Sequence, residues 1–528
     1  MRVRAGAWAA VAVVVAAILS HLPALWNGFA FDDALLVSQH ALVSQEAWGR
    51  VFTSPYHAGL LDTAGTGLYR PLTVLTLVAD HALGGGAPLP FHLTNLLLHA
   101  GVALLVLGLG RRFGLPAPAP LLGALLFAVH PAPSEAVASV AGRADLLAAA
   151  FALGAVLCLR RPLAFAALLF ASLLAKETAL LLFLVPLAAP LGRTRLRAAA
   201  SGAAAAALYL AMRAAVLGTL VPGSLRGTYV ENPLGVLPAL ARVPAAAAVA
   251  LRAVSLLLFP HHLSPDYGWA ETGPVPGAVG AVAVTALLAL GVAGIVLARR
   301  QPRAAPFLCV AAFSWFLVSN LAVPIGTAFG ERLLYLPLAA LAPLAGWVVV
   351  ALPGRAPRRL GLAAAVVLLG AAGLRTWTAS AAWHDDYTLA RAAVVATPRS
   401  VKVLGNLAVE LAQRGRTEEA KALLERALAL APDMVPLLLN RASLALQEGR
   451  LDDAARDLAR ILSAHPSEPM ARLLFAQLAA RRGDLALAES TLAGLVAERP
   501  GWQDPALYLE RIRKARRGSA SPADGPGG

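Results

Sequence analysis

Two adjacent carboxylates, Asp32 and Asp33, directly follow the first apolar segment of the sequence. Two charges at the mouth of a membrane span are costly unless water, a cation or a cationic ligand compensates them. A carboxylate held there could act as a general base toward a hydroxyl or could ligate a divalent cation. The alternative is a solvated turn that merely ends the span. The residue types alone leave the functional and the bland interpretation equally weighted.

A second polar stretch lies between two apolar runs and contains His130, Glu135, Arg143 and Asp145. A guanidinium can grip a phosphate through paired hydrogen bonds, and Glu135 could orient His130 or a cation. An Arg143–Asp145 or Arg143–Glu135 pair that seals the loop explains the same residues. The sequence does not separate these two hypotheses.

Two charged pairs occur at the ends of apolar segments. Lys176 and Glu177 interrupt an apolar hairpin, and Glu331 and Arg332 begin a later apolar segment. Lys176 could face a lipid phosphate, although exposed turn charges are the simpler explanation. Arg332 could clamp a phosphate, whereas the alternative is that it anchors the segment at the membrane interface.

A fifth stretch places His261 and His262 close to Asp266. Two histidines and a carboxylate suggest a metal site, but adjacent histidines are poor joint ligands on one helix. We therefore do not predict structural zinc there. The two cysteines, Cys158 and Cys309, lie inside apolar segments and are predicted to be buried thiols.

The elements that must position these residues are apolar helices. The chain has 528 residues, of which 58% are hydrophobic and 14% charged, and this composition indicates a polytopic membrane protein. We predict an all-α fold with about eleven spans, near 7–26, 92–110, 115–131, 144–159, 163–175, 178–192, 198–217, 276–298, 304–322, 333–351 and 360–378.

Arginine clusters predict the orientation of the spans. With the N-terminus in the cytoplasm, the clusters between spans all fall on the cytoplasmic side, as the positive-inside rule requires. This interpretation makes the net charge of +15 a topology signal rather than a sign of nucleic-acid binding. It requires 236–260 to be a re-entrant or surface-lying helix. The acids before residue 380 then lie at the external side, which is where we expect the chemistry.

The C-terminal region changes to an amphipathic helical pattern with a period of 34 residues. Residues 401–434, 435–468 and 469–502 align without gaps, and a half repeat at 384–400 precedes them. A turn glycine, a small residue at the helix contact and a closing proline recur in each unit, as in tetratricopeptide repeats. We predict an α-solenoid over 384–513 and a disordered tail over 514–528.

Several short motifs occur in a characteristic order across both regions. They are Asn27-Gly28-Phe29 with Phe31-Asp32-Asp33, Tyr69-Arg70-Pro71-Leu72-Thr73, His92 with Asn95 and His99, His130-Pro131 with Ser134-Glu135-Ala136-Val137, Gly142-Arg143-Ala144-Asp145-Leu146, Lys176-Glu177, and Glu331-Arg332-Leu333-Leu334-Tyr335-Leu336-Pro337. With the repeats that follow, this order resembles the transmembrane-and-tetratricopeptide protein O-mannosyltransferases. The resemblance covers the chain except for its tail.

The resemblance implies a GT-C-type membrane domain over 1–380, with residues 27–91 as the first external loop. It also implies a polyprenyl-phosphate sugar donor and a Ser/Thr hydroxyl acceptor on a protein. Asp32 and Asp33 become the catalytic acidic motif, one of them the base. The remaining motif positions become substrate-binding candidates, namely Tyr69, Arg70, His92, His130, Glu135, Arg143, Asp145, Lys176, Glu177, Glu331 and Arg332. Of these, Arg143, Lys176 and Arg332 are candidates for the donor phosphate.

The chain departs from the resembled pattern in two places. It carries about three full repeats instead of a long array, and Ala132-Pro133-Ser134 stands where a second histidine is often found. The sugar and the acceptor therefore stay open, as does a divalent cation at Asp32 and Asp33; no cofactor is certain. We expect a multi-pass protein of a bacterial inner membrane, with the repeats external and binding an acceptor or partner protein.

Two other functions fit parts of the pattern. A non-catalytic membrane-anchored tetratricopeptide scaffold would need only one or two spans, which argues against it. A flippase or transporter for a lipid-linked sugar would predict charges near mid-membrane and inverted repeats, neither of which the sequence contains.

Overall fold

A computed structural model describes residues 2–58, 67–219 and 232–519, and within these ranges every regular element is a helix. The chain divides into two compact units, residues 1–398 and 399–528. The all-α prediction is confirmed for the described residues.

The first unit contains long apolar helices joined by short helical turns. Its α-helices are Arg2–His21, Asp33–Val37, Ala41–Ser44, Pro71–Gly84, Pro88–Arg112, Ala119–Val129, Ser134–Ala138, Arg143–Leu157, Pro162–Ala175, Val185–Ala188, Thr194–Leu217, Pro233–Val236, Ala239–Leu258, Trp269–Thr272, Gly277–Arg300, Ala305–Val318, Tyr335–Ala351, Arg355–Ala381 and Asp386–Ala396. Its 3₁₀ segments are Leu22–Trp26, Trp48–Thr53, Val140–Gly142, Glu177–Leu184, Glu331–Leu334 and Ala382–His384.

Among the described residues, eight helices are long and apolar enough to cross a membrane, so the prediction of about eleven spans is not confirmed. Four predicted spans correspond to shorter apolar helices, which are Ala119–Val129, Pro162–Ala175, Glu177–Ala188 and Ala305–Val318. Proline lies at or near the start of most of these helices, where it can begin a helix but cannot sit in its interior without breaking a hydrogen bond.

The segment predicted to be re-entrant or surface-lying forms the helix Ala239–Leu258, which has 20 residues. Its length and composition would allow it to cross a membrane. It packs against the helix Gly277–Arg300, where a Cβ added to Gly280 would lie 2.6 Å from Pro244 Cβ. Its placement relative to the membrane stays a prediction.

The core of the first unit depends on close helix–helix approach. The helix Ala119–Val129 packs against Tyr335–Ala351, and a Cβ added to Gly123 would lie 2.5 Å from Pro343 Cα. Only glycine permits this approach at residue 123, because a side chain would collide with the backbone of the facing helix. This contact fixes the helix that begins just after Arg332.

The second unit is built from successive helices joined by short turns. Its helices are Val401–Gln413, Thr417–Leu430, Val435–Gln447, Leu451–Ala464, Pro469–Arg481, Leu485–Glu498 and Gln503–Ser519. Gly415, Gly449 and Gly483 adopt positive φ angles of 74°, 76° and 88° at the turns, a conformation that favours glycine.

The small residues of the repeats occupy the predicted helix contacts, since Ala420, Ala454 and Ala488 have no exposed surface. The last helix continues to Ser519, inside the segment predicted to be a disordered tail, and residues 520–528 lie outside the described residues. The predicted half repeat forms the helix Asp386–Ala396, which belongs to the first unit.

Candidate functional site

Most of the charged motif residues meet at one end of the helices of the first unit. Asp32 follows the first long helix, and Asp145 lies in the first turn of Arg143–Leu157. Lys176 ends the helix Pro162–Ala175, and Arg332 precedes Tyr335–Ala351. Helix N-terminal ends carry partial positive charge, so two of these four elements favour an anion at the site.

The loop that carries Asp32 is held on two sides. His92 Nε2 is 3.1 Å from the carbonyl oxygen of Gly28, and the amide of Gly28 donates to His384 O at 2.9 Å. The amide of Phe31 donates to Asp386 Oδ1 at 2.7 Å. Phe31 has a φ angle of 59°, an uncommon conformation for a residue other than glycine. The loop thus presents Asp32 in a constrained geometry.

The two neighbouring aspartates have different surroundings. Asp32 is partly exposed, whereas Asp33 is only 1% exposed. Asp33 Oδ1 accepts hydrogen bonds from Ser139 Oγ at 2.8 Å and from the amide of Ala141 at 3.0 Å. Burial raises the pKa of Asp33 to about 7, although these hydrogen bonds oppose the shift. Asp33 therefore fastens the loop to residues 139–141, which leaves Asp32 as the accessible carboxylate.

Three ion pairs lie in the same region of the first unit as the accessible Asp32 carboxylate. Arg70 donates through Nε and Nη2 to both carboxylate oxygens of Glu177, at 3.1 and 2.7 Å. Lys176 Nζ lies 2.7 Å from each oxygen of Asp145, and both side chains are buried. Lys176 and Glu177 are therefore engaged in ion pairs. They are not the exposed turn charges that were the simpler interpretation of the sequence.

The third pair joins Arg332 to Glu135. Arg332 donates to Glu135 through Nη1 and through its backbone amide, each at 2.8 Å. Glu135 is 1% exposed at its side chain, while that of Arg332 is 25% exposed. Arg332 is therefore the most open of the three cations. This contact also ties the segment Ser134–Ala138 to the start of the helix Tyr335–Ala351.

Electrostatic interactions link the three pairs to one another and, through Arg332, to Asp32. The charges of Asp32, Asp145 and Arg70 all reach Arg332, and those of Arg70 and Arg332 reach Lys176. Tyr56 lies among them, since its hydroxyl is influenced by Arg70, Asp32, Arg332 and Asp145. The guanidinium of Arg70 lies 5.2 Å from the centre of the Tyr56 ring. We call Arg70, Lys176 and Arg332 the cation trio.

The arginines of the cation trio have N–H donors that their ion pairs do not use. Among the described residues, Arg332 uses Nη1 on Glu135, and no side-chain or backbone acceptor bonds its Nε or Nη2. Arg70 likewise has Nη1 left over after binding Glu177. A guanidinium has five N–H groups, so these pairs hold the cations in place without exhausting them. The arrangement can bind an anionic oxygen beside the Asp32 carboxylate.

Other predicted site residues serve the scaffold instead. Tyr69 is fully buried, and its hydroxyl donates to Phe52 O at 2.8 Å. His130 Nε2 lies 3.0 Å from Leu257 O, and its Nδ1 accepts from the amide of Ala132 at 3.1 Å. His92 contacts the Gly28 carbonyl and has no exposed surface. These three residues shape the surroundings of the site, and none reaches its open centre.

Arg143 is enclosed by protein groups and is not open to a phosphate. It is 0% exposed, its Nη1 lies 2.5 Å from Asp80 Oδ2, and its Nε donates to Asn95 at 2.7 Å. Its Nη2 donates to Phe91 O at 2.7 Å. Neither of the two local pairs considered from the sequence forms, because the partner of Arg143 comes from the helix Pro71–Gly84. Arg143 therefore has a structural role, in which it links the helices that supply its partners.

Glu331 binds a different set of partners from its neighbour Arg332. Its Oε1 accepts from Ser264 N at 2.6 Å and from the Tyr267 hydroxyl at 2.5 Å. It lines a separate cavity together with Ser134 and residues of the segment 261–265. The adjacent residues Glu331 and Arg332 therefore belong to two neighbouring sites, which the single motif in the sequence did not distinguish.

The sequence interpretation missed residues that the fold brings in. Tyr56 was not a candidate, although it lies within the segment 27–91 that was predicted to be the first external loop, with its ring centre 5.2 Å from the Arg70 guanidinium. Asp80 was not a site candidate either, and it is the ion-pair partner of Arg143. Ser139 and the amide of Ala141, which hold Asp33, carry no pattern that distinguishes them from other loop groups.

A metal site was the other possibility at the aspartate pair and at the histidine pair. Within 2–58, 67–219 and 232–519, no group of three or more His, Cys, Asp or Glu side chains is arranged to hold a metal ion. The rings of His261 and His262 lie with their centroids 4.3 Å apart and their planes tilted by 55°.

Comparison with known proteins finds a repeat family and several longer relatives. The tetratricopeptide repeat family matches residues 411–456 and 439–505, inside the predicted solenoid. Drosophila melanogaster protein O-mannosyl-transferase Tmtc1 is 28% identical over 78% of this chain and 60% of its own length. Human protein O-mannosyl-transferase TMTC3 is 25% identical over 76% of this chain and 49% of its own length.

A shorter and stronger match covers part of the chain. Human protein O-mannosyl-transferase TMTC4 is 38% identical over 160 residues, which are 27% of this chain and 22% of that protein. The chain thus spans between about a fifth and three fifths of the length of these three relatives. With the repeat matches and the eight apolar helices of the described residues, these similarities indicate a multi-pass membrane protein that is similar to the TMTC protein O-mannosyl-transferases.

Proposed function

We propose that this protein is a glycosyltransferase that moves mannose from a polyprenyl-phosphate donor to a Ser or Thr hydroxyl of a protein. The observation that carries the proposal is the convergence of an accessible carboxylate, Asp32, with the cation trio. The names of the relatives support the transfer of mannose to protein. The external face and the binding of acceptor or partner by the repeats belong to the same proposal.

The proposed reaction uses each group of the site once. Asp32 accepts the proton of the acceptor hydroxyl while the hydroxyl oxygen forms a bond to the anomeric carbon of the donor. The bond from that carbon to the phosphate oxygen breaks, and polyprenyl phosphate leaves with the electron pair. Its phosphate gains one negative charge in this step. The N–H groups of Arg332, Arg70 and Lys176 that are not engaged with carboxylates stabilise this charge.

The division of labour between the aspartates follows from their surroundings. Asp33 is enclosed and already accepts two hydrogen bonds, so it positions the loop and does not meet the acceptor. Asp32 has no such enclosure. Asp32 is therefore the carboxylate of the two that an acceptor hydroxyl can reach.

The test compares two neighbouring conservative substitutions in membranes that contain the full chain. Asp32→Asn is expected to lower kcat for transfer from polyprenyl-phosphate mannose by about 10² to 10⁴-fold. Asp33→Asn keeps an oxygen that can accept from Ser139 and Ala141, so we expect it to stay within about tenfold of the unaltered protein.

Full activity of Asp32→Asn would remove the catalytic assignment. An unaltered protein that transfers no sugar from any polyprenyl-phosphate donor would favour the scaffold function instead. Equal losses in both variants would mean that the loop as a whole, and not the Asp32 carboxylate, is required.

A further inference from the structure

The cavity beside the cation trio is a built site that the proposed reaction does not use. Its volume is about 150 Å³, and its wall includes Ser134, Glu331, Arg375, Ala382, Trp383 and Ala393. All of these residues belong to the first unit. The wall combines polar side chains, which include those of His261 and His262, with several alanines and Trp383.

Polar side chains of the cavity wall hold unused hydrogen-bonding capacity. Ser134 is 2% exposed, and within the described part of the chain its Oγ has no hydrogen-bond partner. A buried hydroxyl without a partner loses the hydrogen bonds that water would supply, so such groups call for a ligand or an explanation. Glu331 commits Oε1 to Ser264 and Tyr267, and no described residue bonds its Oε2.

Two short connections join the cavity to the proposed reaction centre. Trp383 packs in a small cluster with Ala30 and Leu389, and Phe31 packs against that cluster directly before Asp32. On the other side, Ser134 is followed by Glu135, the partner of Arg332. The cavity residue Trp383 therefore shares a cluster with the Asp32 loop, and the cavity residue Ser134 directly precedes the partner of Arg332.

Size restricts what the cavity can hold. A cavity of about this volume accommodates a single six-membered ring in another protein. A sugar phosphate with its polyprenyl chain is far larger, whereas one amino-acid side chain fits. The combination of an apolar alanine wall with a hydroxyl, a carboxyl group and the Arg375 guanidinium matches a side chain that ends in a hydrogen-bonding group.

We propose that this cavity is an acceptor subsite, which receives one polar side chain of an extended acceptor polypeptide next to the residue that is glycosylated. The inference rests on the proposed function, because it assumes that Asp32 meets an acceptor hydroxyl. The bound side chain hydrogen-bonds to Ser134 and Glu331, and its aliphatic part lies against Ala382, Ala393 and Trp383. Acceptor choice is then set beside the reaction centre as well as by the repeats.

A matched pair of adjacent substitutions tests the subsite. Ala382 is half-buried and lines the cavity, whereas Ala381 is exposed and does not line it. Ala382→Leu fills the cavity, and Ala381→Leu adds the same atoms beside it. Ser134→Ala is a second, smaller change that removes only the unpartnered hydroxyl and does not depend on accommodating extra volume.

The measurement uses the full chain, polyprenyl-phosphate mannose and two acceptors. One is a Thr-containing peptide that the unaltered protein modifies, and the other is N-acetylthreonine amide, which has no neighbouring residues. In Ala382→Leu we expect the KM for the peptide to rise about tenfold or more, with the KM for the donor and transfer to the small acceptor unchanged. Ser134→Ala should shift the same KM in the same direction, and Ala381→Leu should not.

Several results would overturn the subsite. One is an unchanged peptide KM in both Ala382→Leu and Ser134→Ala, and another is an equal loss in Ala381→Leu. A rise in the donor KM would assign the cavity to the donor lipid or its phosphate. Absence of transfer by the unaltered protein to either acceptor would instead refute the proposed function, and the subsite would fall with it.

Discussion

The buried pair of Lys176 and Asp145 allows stability and function to be separated. Lys176 Nζ lies 2.7 Å from both carboxylate oxygens, and each side chain is 6% exposed. At an effective dielectric constant of about 20, two unit charges at this distance attract by about 6 kcal/mol. Removal of one partner leaves the other charge buried, which typically costs about 3–5 kcal/mol. Lys176→Met should therefore lower the free energy of unfolding by about 3–5 kcal/mol.

The double variant Lys176→Met/Asp145→Leu removes both charges together. Replacing a buried ion pair by apolar side chains of similar size is often neutral or stabilising, so its free energy of unfolding should return to within about 1 kcal/mol of the unaltered protein. Transfer should not return, because the cation trio has lost a member that we propose stabilises the leaving phosphate. Stability and activity then respond differently to the same two substitutions.

The assay combines unfolding of the purified full chain in detergent with transfer from polyprenyl-phosphate mannose. Arg252 and Glu271 form a control pair in the same unit, 2.9 Å apart and partly buried. The variant Arg252→Met/Glu271→Leu should keep both stability and transfer near those of the unaltered protein. It controls for the general effect of removing an ion pair.

Two outcomes would refute this reasoning. A double variant of Lys176 and Asp145 that transfers mannose at the rate of the unaltered protein would exclude Lys176 from the leaving-group site. A single Lys176→Met variant that unfolds at the same free energy as the unaltered protein would show that the Asp145 carboxylate does not depend on this partner.

Two further predictions concern groups that hold the site together. Because burial raises the pKa of Asp33 to about 7 from its usual 3.8, the folded state keeps a proton that the unfolded state loses between pH 4 and 7. The free energy of unfolding should therefore fall by up to about 4 kcal/mol as the pH rises through that range. Asp33→Asn should abolish this fall, as melting in detergent at pH 5 and 8 can check; an equal fall in the variant would assign it to another group. Arg143→Met leaves Asp80 buried without its cation, so we expect a loss of about 3–5 kcal/mol in stability with no change in the donor KM of the folded fraction; a higher donor KM would return Arg143 to the phosphate site.

The repeat unit shows what local sequence can determine. Its helices and turns depend on contacts between residues at most one repeat apart, so the 34-residue period predicted each helix pair and each glycine turn. The apolar segments were likewise predicted from composition, because burial in a membrane requires long apolar helices. The number of spans was not, since proline and packing shortened helices such as Pro162–Ala175 and Ala305–Val318.

The candidate site was predicted as a set of residues but not as a set of contacts. The fold brings together five of the candidates, which are Asp32, Glu135, Asp145, Lys176 and Arg332. Their order along the chain had already suggested a shared role. The sequence left Arg143 either as a phosphate ligand or as the partner of Glu135 or Asp145, whereas helix packing gives it Asp80. It also could not rank Asp32 against Asp33, because their difference comes from Ser139 and Ala141, more than a hundred residues away.

The sequence by itself therefore determined the class of protein, the repeat architecture and the inventory of charged groups. Only the tertiary structure decided which carboxylate is accessible, which cations keep donors to spare, and that Glu331 and Arg332 face different sites. The physical reason is that the position of a charge along the chain limits its possible partners only locally. Burial and pairing of charges are set by how distant helices pack, and these contacts leave no periodic pattern in the sequence.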